Sequence, residues 1–270
     1  MVISYAESEE RAEKDELTLG FMPYLASQLL LKKYQPLADY LTKKLGKRVV
    51  LKIAKDYNSH LKATGEDELD ISFLGGSPYV VVVDKYGKKP LLARYEFNNR
   101  PHFRSVIFTS KNSKIKSLSE LKGKNFVFGS RRSTLSTQVP LYMLMAAGVN
   151  LENLNHHFLN NQENVYISVL LGEHDGGSAA EEVFRENEPK GLRAIAYSPF
   201  LSTHVFVANS KMDVDLQNKI KKALLELSDE AEGKEILTSI SPILTGFVEV
   251  RDSDYNLLRG ILKQVLPVLD

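Results

Sequence analysis

The feature that most restricts the fold is a regular alternation of strand-like and helix-like segments in the first third of the chain. Apolar runs of strand length occur at residues 17–21, 49–53 and 70–74, and helix-favouring segments at residues 29–45, 57–69 and 75–86. In the first helical segment, apolar residues recur at helical spacing. This βαβαβα order is typical of a mostly parallel sheet with helices packed on both faces.

The alternation begins again near residue 105. Strand-like segments are at residues 105–109, 125–129, 174–178, 192–196 and 205–208, and helix-like segments at residues 117–123, 130–147, 165–171, 214–228, 232–239 and 254–266. The final helical block is too small to be a domain. We therefore predict two interleaved lobes, the first of residues 1–103 and 204–270, the second of residues 104–203. The chain would cross between them near Phe103 and Ser202, and two crossovers form a hinge.

Composition and charge exclude several classes of function. Lys and Arg number 35 against 34 Asp and Glu, so no basic surplus is left for binding nucleic acid. The sequence has no cysteine, which removes thiol catalysis, cysteine-ligated zinc and disulfides. The motifs G-x-S-x-G, H-E-x-x-H and G-x-x-x-x-G-K-[ST] do not occur. We expect a protein without enzymatic activity, metal or cofactor.

A dense group of hydroxyl side chains follows the apolar segment at residues 125–129. The hydroxyl residues at the predicted helix start are Ser133, Thr134, Ser136 and Thr137. Free N–H groups at a helix start carry partial positive charge, and hydroxyls add neutral donors, so this turn can bind an oxyanion. The alternative is simple capping by Ser130 or Ser133, which needs only one hydroxyl. Arg131 and Arg132 could also contact an anion, although arginines beside a turn are more often solvated.

Several short motifs follow one another in a fixed order. They are GFMPY at residues 20–24, YQPLADYL at 34–41, LDISFLG at 69–75, IKSLSELKGK at 115–124, ST at 133–134, GEHD at 172–175 and SP at 198–199. With these motifs the chain resembles the phosphate-, phosphite- and phosphonate-binding proteins of ABC transporters over residues 17–230. The resemblance implies an α/β, type II periplasmic-binding-protein fold, with two interleaved lobes, a ligand cleft between them and no catalysis.

The resemblance also implies which turn holds the ligand. In the family, a Ser-Thr-Ser-Gly turn binds the phosphonate oxygens, and here the sequence is Ser133-Thr134-Leu135-Ser136. The first two hydroxyls are kept, whereas leucine replaces the third and serine replaces the glycine. We assign all four residues to the ligand site, together with Tyr24 from the first motif.

The rest of the implied site is only partly kept. A pocket aromatic of the family matches Tyr57, although by itself Tyr57 is more typical of a core residue. A second pocket tyrosine falls at Leu74, and a phosphonate-gripping histidine falls at Gln162, which can donate a hydrogen bond but carries no charge. Of two acidic residues that meet a ligand amino group, one matches Glu182 and the other falls at His204. These departures favour a small oxyanion over an aminophosphonate.

We therefore predict a solute-binding component of an ABC transporter that closes by a hinge around a small oxyanion such as a phosphonate, phosphite or phosphate. Its partner would be the membrane permease, and we expect a monomer in the periplasm or otherwise outside the cytoplasm, with or without an anchor. The alternative is the extracytoplasmic sensing domain of a signalling receptor, which a membrane helix and a kinase or cyclase beyond residue 270 would indicate. The first ten residues suit either a truncated signal peptide or anchor ending near Ala6, or an ordinary N-terminus.

Overall fold

The computed structural model describes residues 15–159 and 161–269. These residues contain thirteen strands and nine α-helices. The strands are β1 (Glu16–Phe21), β2 (Arg48–Ile53), β3 (Ile71–Leu74), β4 (Leu91–Phe97), β5 (His102–Phe103), β6 (Ser105–Ser110), β7 (Asn125–Phe128), β8 (Asn155–Phe158), β9 (Gly176–Ala180), β10 (Leu192–Tyr197), β11 (Leu201–Ser202), β12 (Val205–Ala208) and β13 (Leu244–Val248). The helices are α1 (Ser27–Leu45), α2 (Tyr57–Gly65), α3 (Gly76–Tyr86), α4 (Val139–Ala146), α5 (Gln162–Leu170), α6 (Glu181–Asn187), α7 (Val214–Leu225), α8 (Ala231–Ile240) and α9 (Asn256–Leu269). The predictions for the first ten residues lie outside the described ranges.

The first helix shows how the sequence pattern sets local structure. Leu30, Tyr34, Leu37 and Leu41 recur at helical spacing in α1, and all four are buried against the first sheet. Gly46 ends the helix in the left-handed conformation with φ of 67°, and its N–H donates to the carbonyl of Thr42 at 3.0 Å.

The strands form two large sheets, one in each lobe. The first has the order β13-β4-β12-β3-β1-β2 and the second the order β10-β6-β9-β7-β8. Between them, β5 and β11 pair antiparallel, so the two crossovers run side by side at Phe103 and Leu201. The first sheet thus takes strands from both ends of the described chain. We propose that the first lobe consists of residues 1–103 and 204–270 and the second of residues 104–203. The distribution of the strands between the two large sheets supports this division.

The prediction of a mostly parallel sheet was wrong. In the described part of the two large sheets, β1 is parallel to β2 and β3, and β7 is parallel to β8 and β9, but the other five pairings are antiparallel. The sequence pattern missed β4 and β13, and β12 enters the first sheet only after the chain returns from the second lobe. A returning strand can enter in either direction, which periodicity does not reveal.

The last helix joins the two lobes. Leu258, Ile261 and Leu262 of α9 are buried in one apolar cluster with residues of α3 from the first lobe and α4 from the second. The carbonyl of Leu269 accepts a hydrogen bond from Arg131 at 3.1 Å. Within the described ranges, no helix combines the length and apolarity needed to cross a membrane.

Candidate functional site

A cavity of about 370 Å³ lies between the lobes. The first lobe contributes residues from the ends of β1, β3 and β4 and from α2, and the second contributes the hydroxyl-rich turn and the starts of α5 and α6. Eight of the ten sequence-predicted site residues line it: Tyr24, Tyr57, Ser133, Thr134, Leu135, Gln162, Glu182 and His204. Contact of these side chains with a ligand stays a prediction.

Two predicted site residues, Leu74 and Ser136, do not line the cavity. Neighbouring residues of a strand point to opposite faces, and in β3 it is Phe73 that reaches the cavity while Leu74 is fully buried in the core. Ser136 is also buried, and its hydroxyl donates to Ser133 Oγ at 2.7 Å. Phe73 was not predicted, because alternation along the strand shows that Phe73 and Leu74 face opposite sides but not which side meets the cavity.

The hydroxyl-rich turn forms the start of a helix, as predicted. Residues Thr134–Gln138 form a π-helical turn that continues into α4, and Ser133 is its N-cap. Ser133 Oγ accepts from the N–H of Ser136 at 3.2 Å, so the capping role is real. This hydrogen bond occupies the N–H group of Ser136, which is therefore not free to bind an anion. The N–H groups of Thr134 and Leu135 have no acceptor among the described residues, and they start the helix beside the cavity.

The hydroxyl of Thr134 joins this turn to the first lobe. Thr134 Oγ1 donates to Ser77 Oγ at 2.9 Å, and Ser77 Oγ donates to Oε1 of Gln138. Ser77 lies in the first turn of α3, directly after the cavity-lining Gly75 and Gly76. Ser77 thus bonds both the first and the last residue of the π-helical turn across the lobe boundary. No sequence motif indicated this pairing, because the partners are far apart in the chain.

Gly129 gives this turn the space that it needs. A methyl group on Gly129 would overlap Ser136 Oγ and lie 2.8 Å from Ser136 Cβ. We expect Gly129→Ala to destabilise the fold by about 1 kcal/mol or more, as overpacking does, and to displace the turn. Chemical denaturation measures the loss. In a Ser136→Gly background the same change should cost much less, and an equal loss in both backgrounds would contradict this explanation.

Aromatic rings form much of the first-lobe wall. The ring of His204 stacks between Phe73, with centroids 5.3 Å apart, and Phe103, at 5.7 Å. Burial lowers the pKa of His204 to about 4, so the imidazole is neutral at neutral pH. Its Nδ1 is buried without a partner in the described structure. His204 therefore offers a polar, uncharged group where the resemblance implied a carboxylate.

The second-lobe wall carries one unpaired carboxylate. Arg104 donates from Nε and Nη2 to the two carboxylate oxygens of Glu181, at 2.6 and 2.7 Å. The adjacent Glu182 has no ion pair among the described residues. Burial raises the pKa of Glu182. Gln162 accepts from the N–H of Ala180 through Oε1 at 2.6 Å, which leaves its amide N–H groups available at the cavity.

Two cations at the cavity wall are not neutralised. Lys33 Nζ donates to the carbonyl of Ile240 at 2.6 Å, and Arg132 donates to Oδ1 of Asn58 in α2. Both acceptors are uncharged, and neither cation has a carboxylate partner within the described ranges. The prediction that Arg132 is merely solvated is therefore incomplete, because it links the lobes at the cavity.

Arg131 lies outside the cavity wall. Its guanidinium is 4.1 Å from the ring centroid of Phe158, and it also bonds the carbonyl of Leu269. It is exposed, as expected, but it holds the C-terminal helix rather than lying free in solvent. Residues 15–159 and 161–269 contain no group of three or more His, Cys, Asp or Glu residues that could hold a metal ion.

Comparisons with known proteins agree on one family. A family model described as "ABC transporter, phosphonate, periplasmic substrate-binding protein" matches residues 19–255. A probable ABC transporter phosphite binding protein, PhnD1 of Prochlorococcus marinus, is 26% identical over 63% of this chain and 60% of its own length. The phosphonates-binding periplasmic protein of Escherichia coli is 27% identical over 53% of this chain and 42% of its own length. The matched segments thus span about half the length of these two relatives.

Solved structures agree on the fold. The structure of PhnD1 from Prochlorococcus marinus in complex with methylphosphonate superimposes with a TM-score of 0.79 at 22% identity, covering 93% of this chain and 98% of that one. This similarity confirms the type II periplasmic-binding-protein fold that the resemblance implied, with two lobes and a cleft between them.

Proposed function

Because the chain belongs to the family of periplasmic substrate-binding proteins of phosphonate ABC transporters, we propose that it binds a small phosphorus oxyanion between its lobes. The ligand would be a phosphonate, phosphite or phosphate, delivered to a membrane permease without chemical change. The protein would act in the periplasm or elsewhere outside the cytoplasm. Of the two relatives above, one is named as a probable phosphite binding protein and the other as a phosphonates-binding protein, which supports this ligand class.

The observation that carries the proposal is the helix start at Ser133. The N–H groups of Thr134 and Leu135 have no acceptor among the described residues and adjoin the cavity. The hydroxyl of Thr134 would add a third donor by exchanging its hydrogen bond to Ser77 Oγ for one to the anion. A helix N-terminus with neutral donors binds an anion without the cost of burying an unpaired cation. Lys33 and Arg132 add positive potential from the wall.

Glu182 and His204 determine which group on the ligand's phosphorus the cavity can accept. Glu182 could accept hydrogen bonds from an ammonium group, but His204 is neutral and is stacked between aromatic rings. An aminoalkyl group would thus meet one carboxylate rather than two. We propose that phosphite, phosphate or a small alkylphosphonate binds more tightly than aminoethylphosphonate.

The experiment that tests the proposal is a thermal-shift screen followed by calorimetry. The ligands are phosphate, phosphite, methylphosphonate, aminoethylphosphonate, sulfate and arsenate. A ligand present at a hundred times its dissociation constant should stabilise the protein by roughly 2.7 kcal/mol. If none of the phosphorus oxyanions stabilises the protein or releases heat, the proposed function is wrong. If aminoethylphosphonate binds most tightly, only the proposed preference fails.

Ligand binding should also close the lobes, because the proposed contacts come from both. We expect a smaller radius of gyration in small-angle scattering when methylphosphonate or phosphate saturates the protein. Thr134→Val at the same ligand concentration serves as the control and should show a smaller change. An unchanged radius despite binding confirmed by calorimetry would contradict closure.

A further inference from the structure

Three tyrosine hydroxyls form a hydrogen-bonded chain from the core of the first lobe to the cavity. Tyr95 Oη lies 2.7 Å from Tyr34 Oη, which lies 2.8 Å from Tyr24 Oη. All three rings line the cavity, but Tyr34 and Tyr95 belong to the core, with relative exposures of 1% and 3%, whereas Tyr24 is 40% exposed. The hydrogen-bonded chain therefore has a buried end at Tyr95 and an exposed end at Tyr24.

The inner two rings are held by packing. Tyr34 lies against Phe21, with ring centroids 4.2 Å apart, and Tyr95 against Phe73, at 5.1 Å. Because neither ring can turn without moving its neighbours, the positions of the two inner hydroxyls are set by the core. Only the outer hydroxyl, that of Tyr24, can adjust to a ligand.

The number of available protons sets the direction of hydrogen-bond donation among the three tyrosines. Each hydroxyl has one proton to donate, and the two hydrogen bonds between the three hydroxyls use two of them. The third proton is therefore at one end. At the inner end, Tyr95 Oη has no other hydrogen-bond partner in the described structure, so a proton there would be a buried, unsatisfied donor. At the outer end, Tyr24 is exposed at the cavity, where its proton can be donated to solvent or to a ligand.

The preferred arrangement is thus donation from Tyr95 to Tyr34 and from Tyr34 to Tyr24. Hydrogen bonds in such a chain polarise one another, which strengthens the terminal donor. Burial, with smaller effects of Tyr34 and Tyr57, raises the pKa of Tyr24, so the hydroxyl keeps its proton. Burial also raises the pKa of Tyr34 and of Tyr95.

We propose that Tyr24 donates a hydrogen bond to an oxygen of the bound oxyanion, and that Tyr34 and Tyr95 are positioning residues that direct its proton to the ligand. This inference rests on the proposed function and adds a first-lobe donor to it. A donor there and the donors of the Ser133 turn come from opposite lobes, so one anion would be bound by both. An oxyanion accepts several such bonds, whereas a neutral ligand would gain less from a donor of fixed direction.

The test is calorimetry with methylphosphonate and with phosphate on Tyr24→Phe, Tyr34→Phe and Tyr24→Phe/Tyr34→Phe. Loss of one hydrogen bond to a charged ligand should weaken binding by about tenfold or more in Tyr24→Phe. Tyr34→Phe should weaken it by less, because Tyr24 remains but its proton is no longer directed. In the Tyr24→Phe background, Tyr34→Phe should have no further effect on affinity. A purely structural role of Tyr34 would instead lower affinity equally in both backgrounds.

A second comparison separates folding from binding. Tyr34→Phe leaves the hydroxyl of Tyr95 without a partner, so Tyr34→Phe/Tyr95→Phe should regain stability relative to Tyr34→Phe without regaining affinity. If wild-type protein binds methylphosphonate or phosphate, and Thr134→Val loses affinity while Tyr24→Phe does not, the proposed function stands and this inference is overturned. If the wild-type protein binds neither anion, the proposed function fails first.

Discussion

Replacing Thr134 by valine should weaken the binding of methylphosphonate or phosphate by about tenfold or more, because a hydrogen bond to a charged group contributes roughly 1.5–3 kcal/mol. Valine keeps the shape of threonine, so the loss reports the hydroxyl. Thr134 is half-buried at the cavity wall, and its hydroxyl bonds Ser77 Oγ at 2.9 Å in the described structure. Isothermal calorimetry measures the change directly.

Two further variants make the result specific. Thr134→Ser keeps the hydroxyl and should bind close to wild type. Arg131→Ala should also bind close to wild type, because Arg131 stacks on Phe158 and bonds Leu269 outside the cavity wall. If Thr134→Val binds like wild type while Arg131→Ala abolishes binding, the anion is held by an arginine and the helix-start mechanism is wrong.

Acidification should destabilise the fold at pH values well above those at which most carboxylates become protonated. His60 is 1% exposed and contacts the carbonyl of Phe73 through Nε2 at 2.9 Å, while its Nδ1 is buried without a partner in the described structure. Burial lowers the pKa of His60 to about 4, and that of His204 likewise to about 4. Protonation would place a charge on both buried rings, so the folded state resists it.

The direction of the pH effect on stability follows from the pKa values of histidine in the folded and unfolded states. An unfolded histidine has a pKa near 6.5, so the unfolded chain binds more protons than the folded one between about pH 6.5 and pH 4. The stability contributed by the neutral rings is present above pH 6.5 and is lost as the pH falls toward 4. We expect a loss of roughly 2 kcal/mol per histidine between pH 7 and pH 5.

Urea denaturation at a series of pH values measures this loss. Stability should change little between pH 7 and pH 8, because these histidines are neutral in the folded state and mostly neutral in the unfolded state. His60→Asn and His204→Asn should each reduce the slope between pH 7 and pH 5, whatever their effect on stability at pH 7. A wild-type stability that is constant down to pH 5 would show that these rings are not held neutral by the fold.

The sequence indicated the hydroxyl-rich turn at the cavity because its signal is local. Hydroxyls concentrated after an apolar segment and before a helix are a property of neighbouring residues, and Ser133 and Thr134 do stand at a helix start beside the cavity. The helix α1 was likewise evident from periodicity. The resemblance located Gln162, Glu182 and His204, whose positions at the cavity no spacing along the chain would have revealed.

The hydrogen-bond partners of the site residues depended on the tertiary structure alone. Ser77 meets Thr134, and Tyr34 meets both Tyr24 and Tyr95, through hydrogen bonds between segments that only folding brings together. One face of β3 meets the cavity and the other packs into the core, and only the fold decides that Phe73 is on the first face and Leu74 on the second.

Sequence periodicity by itself determined that this chain forms α/β layers and where a helix would present free N–H groups, because both follow from residues within a few positions of one another. Strand direction and the termination of the tyrosine chain in the core were decided by packing between distant segments. A returning strand can pair in either direction, and a hydroxyl proton is directed only by the acceptor that the fold places beside it.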